Sequence, residues 1–199
     1  TSDTPAFTGE FNKLVLQALG HEAFTAEQVG LGKTLERYWS EQEDPVSRDA
    51  NRTPGWLLRV NEHTGGTVAA QMAAIGQVVR YGGRVLVVFA EPKEADRFTE
   101  RFDQELRTSS LSWSCRALRL DVQVESDFMR EFVPEVLVAS LHDVVTRLLV
   151  EESVYDRFLN DVSLVIVHKI DQFFGASEAH GQLTFRRLLR RFDATRGKA

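Results

Sequence analysis

Apolar positions recur at helical spacing in the first part of the chain. In FNKLVLQAL, Phe11, Leu14, Val15 and Ala18 share one helical face, and Gly20 supplies a stop. Thr25, with Gln28 three residues later, is a capping-box start for a second helix that carries Val29, Leu31, Leu35 and Tyr38. The stretch SEQEDPVSRDANRTPG, Ser40 to Gly55, has no apolar period and is dense in charge, Pro, Asn and Ser, so a loop or insertion is predicted there.

Beyond Gly55 the period changes to strand, glycine turn, helix, strand. WLLRV (Trp56 to Val60) is a short strand candidate, TGGT (Thr64 to Thr67) a turn, and Val68 to Arg80 an alanine-rich helix ended by Gly82 and Gly83. RVLVVF, Arg84 to Phe89, is the continuous apolar run of a strand buried on both faces. Glu91 to Leu106 makes an amphipathic helix with Ala95, Phe98, Phe102 and Leu106 facing inward. Further strands are predicted at Ser114 to Leu120, Glu135 to Ala139 and Ser163 to Val167, with helices at Ser126 to Phe132, Leu141 to Val150, Val154 to Asn160 and Leu183 to Phe192. Strands alternating with helices predict an α/β fold with a mainly parallel sheet covered on both faces, and such sheets take ligands at the carboxyl ends of their strands.

Composition changes this picture in three ways. Net charge is -5 over 199 residues, so the chain is no polycation and any nucleic-acid contact must come from a local patch. The single cysteine, Cys115, excludes a disulfide framework and a thiolate zinc site, which favours a reducing, cytoplasmic setting. No apolar run approaches the roughly eighteen residues of a membrane span, and the start lacks a secretory signal. The expectation is a cytoplasmic or nucleoid-associated protein without membrane contact, and a chain that starts without Met reads as an excerpt of a longer one.

Two glycine turns are candidates for holding phosphate. A phosphate loop needs a strand that delivers the chain to a glycine-rich turn, whose N–H groups and following helix N-terminus face the anion, while a Lys neutralises it. GLGKT offers Gly32, Lys33 and Thr34, but HEAFTAEQ before it reads as a helix start. It therefore reads as a glycine-interrupted helix with a solvated Lys33, with a nucleotide loop as the alternative. NEHTGGT has the strand before it and the helix after it, so Thr64, Gly65, Gly66 and Thr67 are the better-placed set. His21, His63 and His142 show no metal spacing. His180 reads as a histidine at a helix start, hydrogen-bonded in the core, with a ligand role as the alternative. RRLLRR, Arg186 to Arg191, concentrates positive charge on a helix, either as solvated surface, as a protein interface or as a phosphate contact.

From Gly55 onward the chain resembles the first RecA-like domain of a superfamily-two helicase. NEHTGGT falls where those proteins have a PTGSGKT-like loop, and FTAEQ resembles the region whose Gln, here Gln28, reads adenine. GGRVLVVFAEPKEADRF resembles the strand and helix that follow the loop, and PEVLVASLHDVVTRLL the segment whose Thr-Thr-Pro touches the nucleic-acid backbone. LVIVHKIDQFFGASEAHGQLTFRRLLRRF resembles the acidic motif and next helix of Lhr-like and YprA-like helicases, with Gly175, His180, Arg186 and Arg187 at the family spacing from His168. GLGKT itself resembles the loop of chromatin-remodeller-type helicases.

The resemblance implies a three-layer RecA-like, P-loop NTPase-type fold. It divides the chain into a helical segment with the Gln region (1–39), a loop or insertion (40–55) and a core domain (56–199). It also implies nucleic-acid contact near Lys93, Ala139 and Ser140, with DNA or RNA, a second RecA-like domain and other subunits as partners. The catalytic positions depart from the family. Gly66 replaces the phosphate lysine, which removes a contact of roughly 1.5 to 3 kcal/mol. His168 and Lys169 replace the Mg²⁺-binding Asp and the water-polarising Glu, and only Asp171 matches. An imidazole is a poor Mg²⁺ ligand and an ammonium cannot act as a base. The expectation is a pseudo-ATPase with no catalytic residue and no metal site, in which ATP and Mg²⁺ are cofactors only if the altered loop or GLGKT still works.

Overall fold

The computed structural model describes residues 15, 19, 26–43, 65–109, 111, 114–120, 131–173 and 178–196. Helix α1 spans Ala26–Glu43. Helix α2 spans Gly66–Gly76 and runs on as a π-helical turn, Gln77–Tyr81. Strand β1 (Arg84–Phe89) leads to α3 (Pro92–Arg107), then β2 (Ala117–Arg119) and β3 (Val136–Ser140). Helix α4 is one turn, Leu141–Asp143, extended by a π-helical turn over Val144–Leu148. Helix α5 (Glu152–Asn160), strand β4 (Val162–Val167), a 3₁₀ turn (Ile170–Phe173) and α6 (Glu178–Arg196) complete the order.

The four strands form one all-parallel sheet in the order β2-β3-β1-β4. Alternation along β1 sorts its side chains onto two faces. Val85, Val87 and Phe89 pack with α2 and with Phe98 and Phe102 of α3. Leu86 and Val88 pack with Val144, Leu148, Tyr155, Phe158, Leu188 and Phe192 on the other side. Helices therefore cover both faces, which is why RVLVVF and VLVAS are apolar throughout. Among the described strands β4 is at the sheet's edge, and Leu164 to Val167 stay partly exposed. Gly83 opens β1 at φ +83°, and a Cβ there would sit 2.4 Å from Ser163 Oγ, so neither the conformation nor the space admits another residue.

The apolar pattern locates these elements to within a few residues, with three corrections. Helix α6 starts five residues before and ends four beyond the predicted Leu183 to Phe192. Helix α1 continues through Glu43, four residues into the predicted loop. The strand predicted over Ser114 to Leu120 is regular only at Ala117–Arg119, although the Arg116 carbonyl accepts from the Val136 N–H and the Leu120 N–H donates to the Val138 carbonyl. Of the predicted first helix, Val15 and Leu19 are described; both are buried and joined by a helical hydrogen bond of 2.9 Å. The predicted strand Trp56 to Val60, Thr64 and most of the helix Ser126 to Phe132 lie outside the described residues. Among the described residues no helix is long and apolar enough to cross a membrane.

Candidate functional site

β1 and β4 end side by side, and their ends meet the first turn of α2. The apolar run of β4 carries the chain to His168, whose N–H donates to the carbonyl of Val88 at 2.9 Å, so the histidine continues the register with β1. Lys169 then turns the backbone in the left-handed region, φ 52°, an unfavourable conformation for a residue with a Cβ. Opposite, Gly65 at φ 75° starts α2 with no side-chain cap.

The His168 ring packs on Phe89, centroids 4.8 Å apart, and is 8% exposed. A Cβ on Gly66 would meet His168 Nε2 at 3.4 Å. The imidazole therefore stands against the residue that lacks a side chain. Neither ring nitrogen has a hydrogen-bond partner among the described residues. Burial lowers the His168 pKa, and the Lys169 ammonium lowers it further, against weaker opposing effects of Glu94, Asp171 and the Gly66 backbone. At neutral pH the ring is uncharged.

Lys169 turns away from this crevice. Its ammonium lies 2.5 Å from Glu94 Oε1 of α3, while Glu94 Oε2 is buried without a partner. Asp171 is exposed on the 3₁₀ turn. The local donor set is thus a buried neutral imidazole, a paired ammonium and one carboxylate on a separate turn. Mg²⁺ asks for several converging hard oxygens, so these residues do not fit it. Among the described residues no group of three His, Cys, Asp or Glu could hold a metal ion.

The other sequence candidates separate. Lys93 is exposed in the first turn of α3. Ala139 and Ser140 are fully buried, so their side chains have no surface for nucleic acid. Ser140 is used internally: it caps α4 by accepting from the Asp143 N–H at 3.2 Å, and its own N–H donates back to Asp143 Oδ2 at 2.9 Å. Gly65, Gly66 and Thr67 are partly exposed at the start of α2. Gln28 is buried within α1, away from solvent. Gly32, Lys33 and Thr34 lie inside that same helix. Lys33 is exposed, and the Thr34 hydroxyl donates back to the Gly30 carbonyl at 3.0 Å. The core reading of His180 is corrected: its side chain is exposed near the start of α6, because Gly181 and Thr184 take the inward positions of that turn. Cys115 is buried and its thiol is pushed up to about 12, chiefly by burial, so it is inert at neutral pH.

Sequence reasoning missed Glu94 as the partner of Lys169, since nothing in the chain marks a contact across that separation. It also missed a buried network at the carboxyl ends of β2 and β3. Arg119 Nε donates to Asp96 at 2.7 Å and Nη1 to Asp143 at 2.8 Å, and Nη1 also reaches the Leu120 carbonyl. Only the Ser140-x-x-Asp143 capping spacing gave a signal for it. A shallow depression of about 390 Å³ opens at the opposite, amino ends of the strands, lined by Gly82, Gly83, Arg84, Glu135 and Asp161. Arg84 there is already held by Asp161 and by the carbonyls of Val133 and Pro134. No protein family, characterised protein or solved structure matches the chain.

Proposed function

We propose that this chain is a helicase-type RecA-like domain that does not hydrolyse ATP and serves a larger protein or complex by contacting nucleic acid or other subunits. The parallel sheet with helices on both faces is compatible with that fold. The observation that carries the reading is the contact between Gly66 and His168. The phosphate lysine and the metal carboxylate are both absent from the sequence, and the residues in their places pack against each other. Lys169, where a water-polarising carboxylate would be needed, is held by Glu94. An ammonium at this position cannot polarise the attacking water, and loss of such a base typically lowers a rate by about 10²- to 10⁴-fold.

An active motor that binds nucleotide at GLGKT is the rival reading. Inside α1 the N–H groups of this stretch are engaged by the helix's own carbonyls, so they do not form a ring around a phosphate. The test is ATP turnover by the chain with Mg²⁺, alone and with DNA or RNA. No turnover is expected, and a turnover that Lys33→Ala abolishes reverses the reading. For the contact role, binding of an oligonucleotide at several salt concentrations is compared for wild type and Lys93→Ala. A loss of affinity with a salt slope smaller by about one unit is expected. No binding at low salt leaves a pure protein scaffold.

A further inference from the structure

Helix α6 buries one side and leaves the opposite side with an unusual combination of residues. Gly181, Thr184, Leu188 and Phe192 are buried. At about 100° per residue the centre of the outward side falls on Leu183 and Arg190, with Arg186 and Arg187 on either flank. Leu183 is 58% exposed, and Leu189, at the margin, is 46% exposed. Arg186, Arg187 and Arg190 are exposed and have no carboxylate within ion-pair distance among the described residues.

Those three arginines contrast with others in the protein. Arg84, Arg107, Arg116 and Arg191 each hold an Asp or Glu. Acidic residues outnumber basic ones, 29 to 24, so carboxylates to neutralise α6 are not scarce in this chain. Instead Arg186 and Arg190 sit four residues apart on one helix, a like-charge spacing that destabilises an isolated helix by about 0.2 to 0.5 kcal/mol. An exposed leucine ringed by arginines has the anatomy of a protein interface, with an apolar centre and a charged rim rich in Arg. A phosphate backbone has no apolar surface to cover Leu183. A second copy of the chain does not suit either, because a two-fold contact through this face sets the same arginines against each other.

We propose that the outward face of α6 docks an acidic amphipathic helix of a partner protein, whose apolar strip covers Leu183 while carboxylates on both flanks meet Arg186, Arg187 and Arg190. The proposal does not depend on the helicase reading.

The test uses three fluorescent probes on the full 199-residue chain: a helical peptide with leucines at i, i+3 and i+7 flanked by glutamates, a scrambled peptide of identical composition, and a single-stranded oligonucleotide. Anisotropy is read for wild type, Leu183→Ser, and Arg186→Glu with Arg190→Glu. The patterned peptide is expected to bind wild type, with affinity falling about tenfold or more in each variant. The unfolding midpoint should stay put, because every altered side chain is exposed. Equal binding of the scrambled peptide reduces the face to bulk electrostatics and overturns the proposal. So does binding of the oligonucleotide that fails in the arginine variant and survives Leu183→Ser, which assigns the face to phosphate. No binding of any probe also overturns it.

Discussion

Two polar clusters stand at the carboxyl ends of the same parallel sheet, and they are built on opposite principles. Around Asp143, every contact is reciprocal. The carboxylate accepts from the Ser140 N–H and hydroxyl and from Arg119, and Arg119 in turn holds Asp96. Around His168, buried polar atoms are left over: among the described residues both ring nitrogens and one oxygen of Glu94 lack partners. A buried polar group without a partner opposes folding by about 1 to 3 kcal/mol, whereas a satisfied network fixes the chain. The first cluster holds the ends of β2 and β3 in place. The second is where a folded-state penalty persists, and it lies at the ends of β1 and β4 beside Gly66.

Cutting the satisfied network should have the largest effect. Asp143→Ala removes the carboxylate half of the α4 capping box and leaves Arg119, with 12% of its side chain exposed, without its more buried partner. Breaking a buried pair in this way destabilises by about 3 kcal/mol or more. Ser140→Ala removes only the hydroxyl, and about 1 kcal/mol is expected. Urea unfolding of the two variants should rank them in that order. Equal midpoints would mean that the cap, and not the charge pair, carries the stability.

The unsatisfied cluster should respond with the opposite sign. His168→Leu keeps the bulk against Phe89 and removes two orphaned nitrogens, so the variant is expected to be as stable as wild type at neutral pH or up to about 1 kcal/mol more stable. A loss of more than that means that a ring nitrogen has a partner in solution. Acid should widen the gap. The His168 pKa lies below its ordinary value of 6.5, so between 6.5 and the folded value the unfolded chain binds a proton that the native protein does not. Native stability is complete above that window and falls as pH drops through it. Urea midpoints at about pH 7.5 and 5.5 check this as a difference, because carboxylates elsewhere contribute equally to both proteins. Wild type should lose more than His168→Leu.

What the sequence disclosed follows the same division. Strands such as RVLVVF and VLVAS are legible because burial on both faces forces a continuous apolar run, and α3 because Ala95, Phe98, Phe102 and Leu106 keep the helical period. The place of β4 at the edge is not legible, since VSLVIV is as apolar as its buried neighbours yet partly exposed. At the site, that Gly66, His168 and Lys169 differ from the Lys, Asp and Glu of the pattern the chain resembles was visible in the sequence alone. Where the replacements went was not. That Lys169 reaches Glu94, that His168 meets Gly66, and that Ser140 is consumed as a cap are products of tertiary packing, and no local pattern encodes them. His180 failed for a related reason: its neighbours Gly181 and Thr184 outcompeted it for the inward face.

The smallest effect should come from Lys169, where two terms of similar size can be separated. The ion pair with Glu94 is partly exposed, 47% on the lysine side, and such pairs contribute about 0 to 1 kcal/mol. The backbone at φ 52° is unfavourable for a residue with a Cβ by about 1 kcal/mol, and glycine is free of that penalty. Lys169→Ala loses the ion pair and keeps the strained turn, so a modest destabilisation is expected. Lys169→Gly loses the same ion pair and relieves the turn, so its stability should lie close to wild type. Each variant also leaves the Glu94 carboxylate without its cation, a loss that cancels in the comparison. The difference between Gly and Ala in urea unfolding therefore reads the relief of the turn, reduced by about 0.5 to 1 kcal/mol for the extra freedom of glycine in the unfolded chain. If Lys169→Gly unfolds well before Lys169→Ala, residue 169 does not hold a left-handed turn in solution.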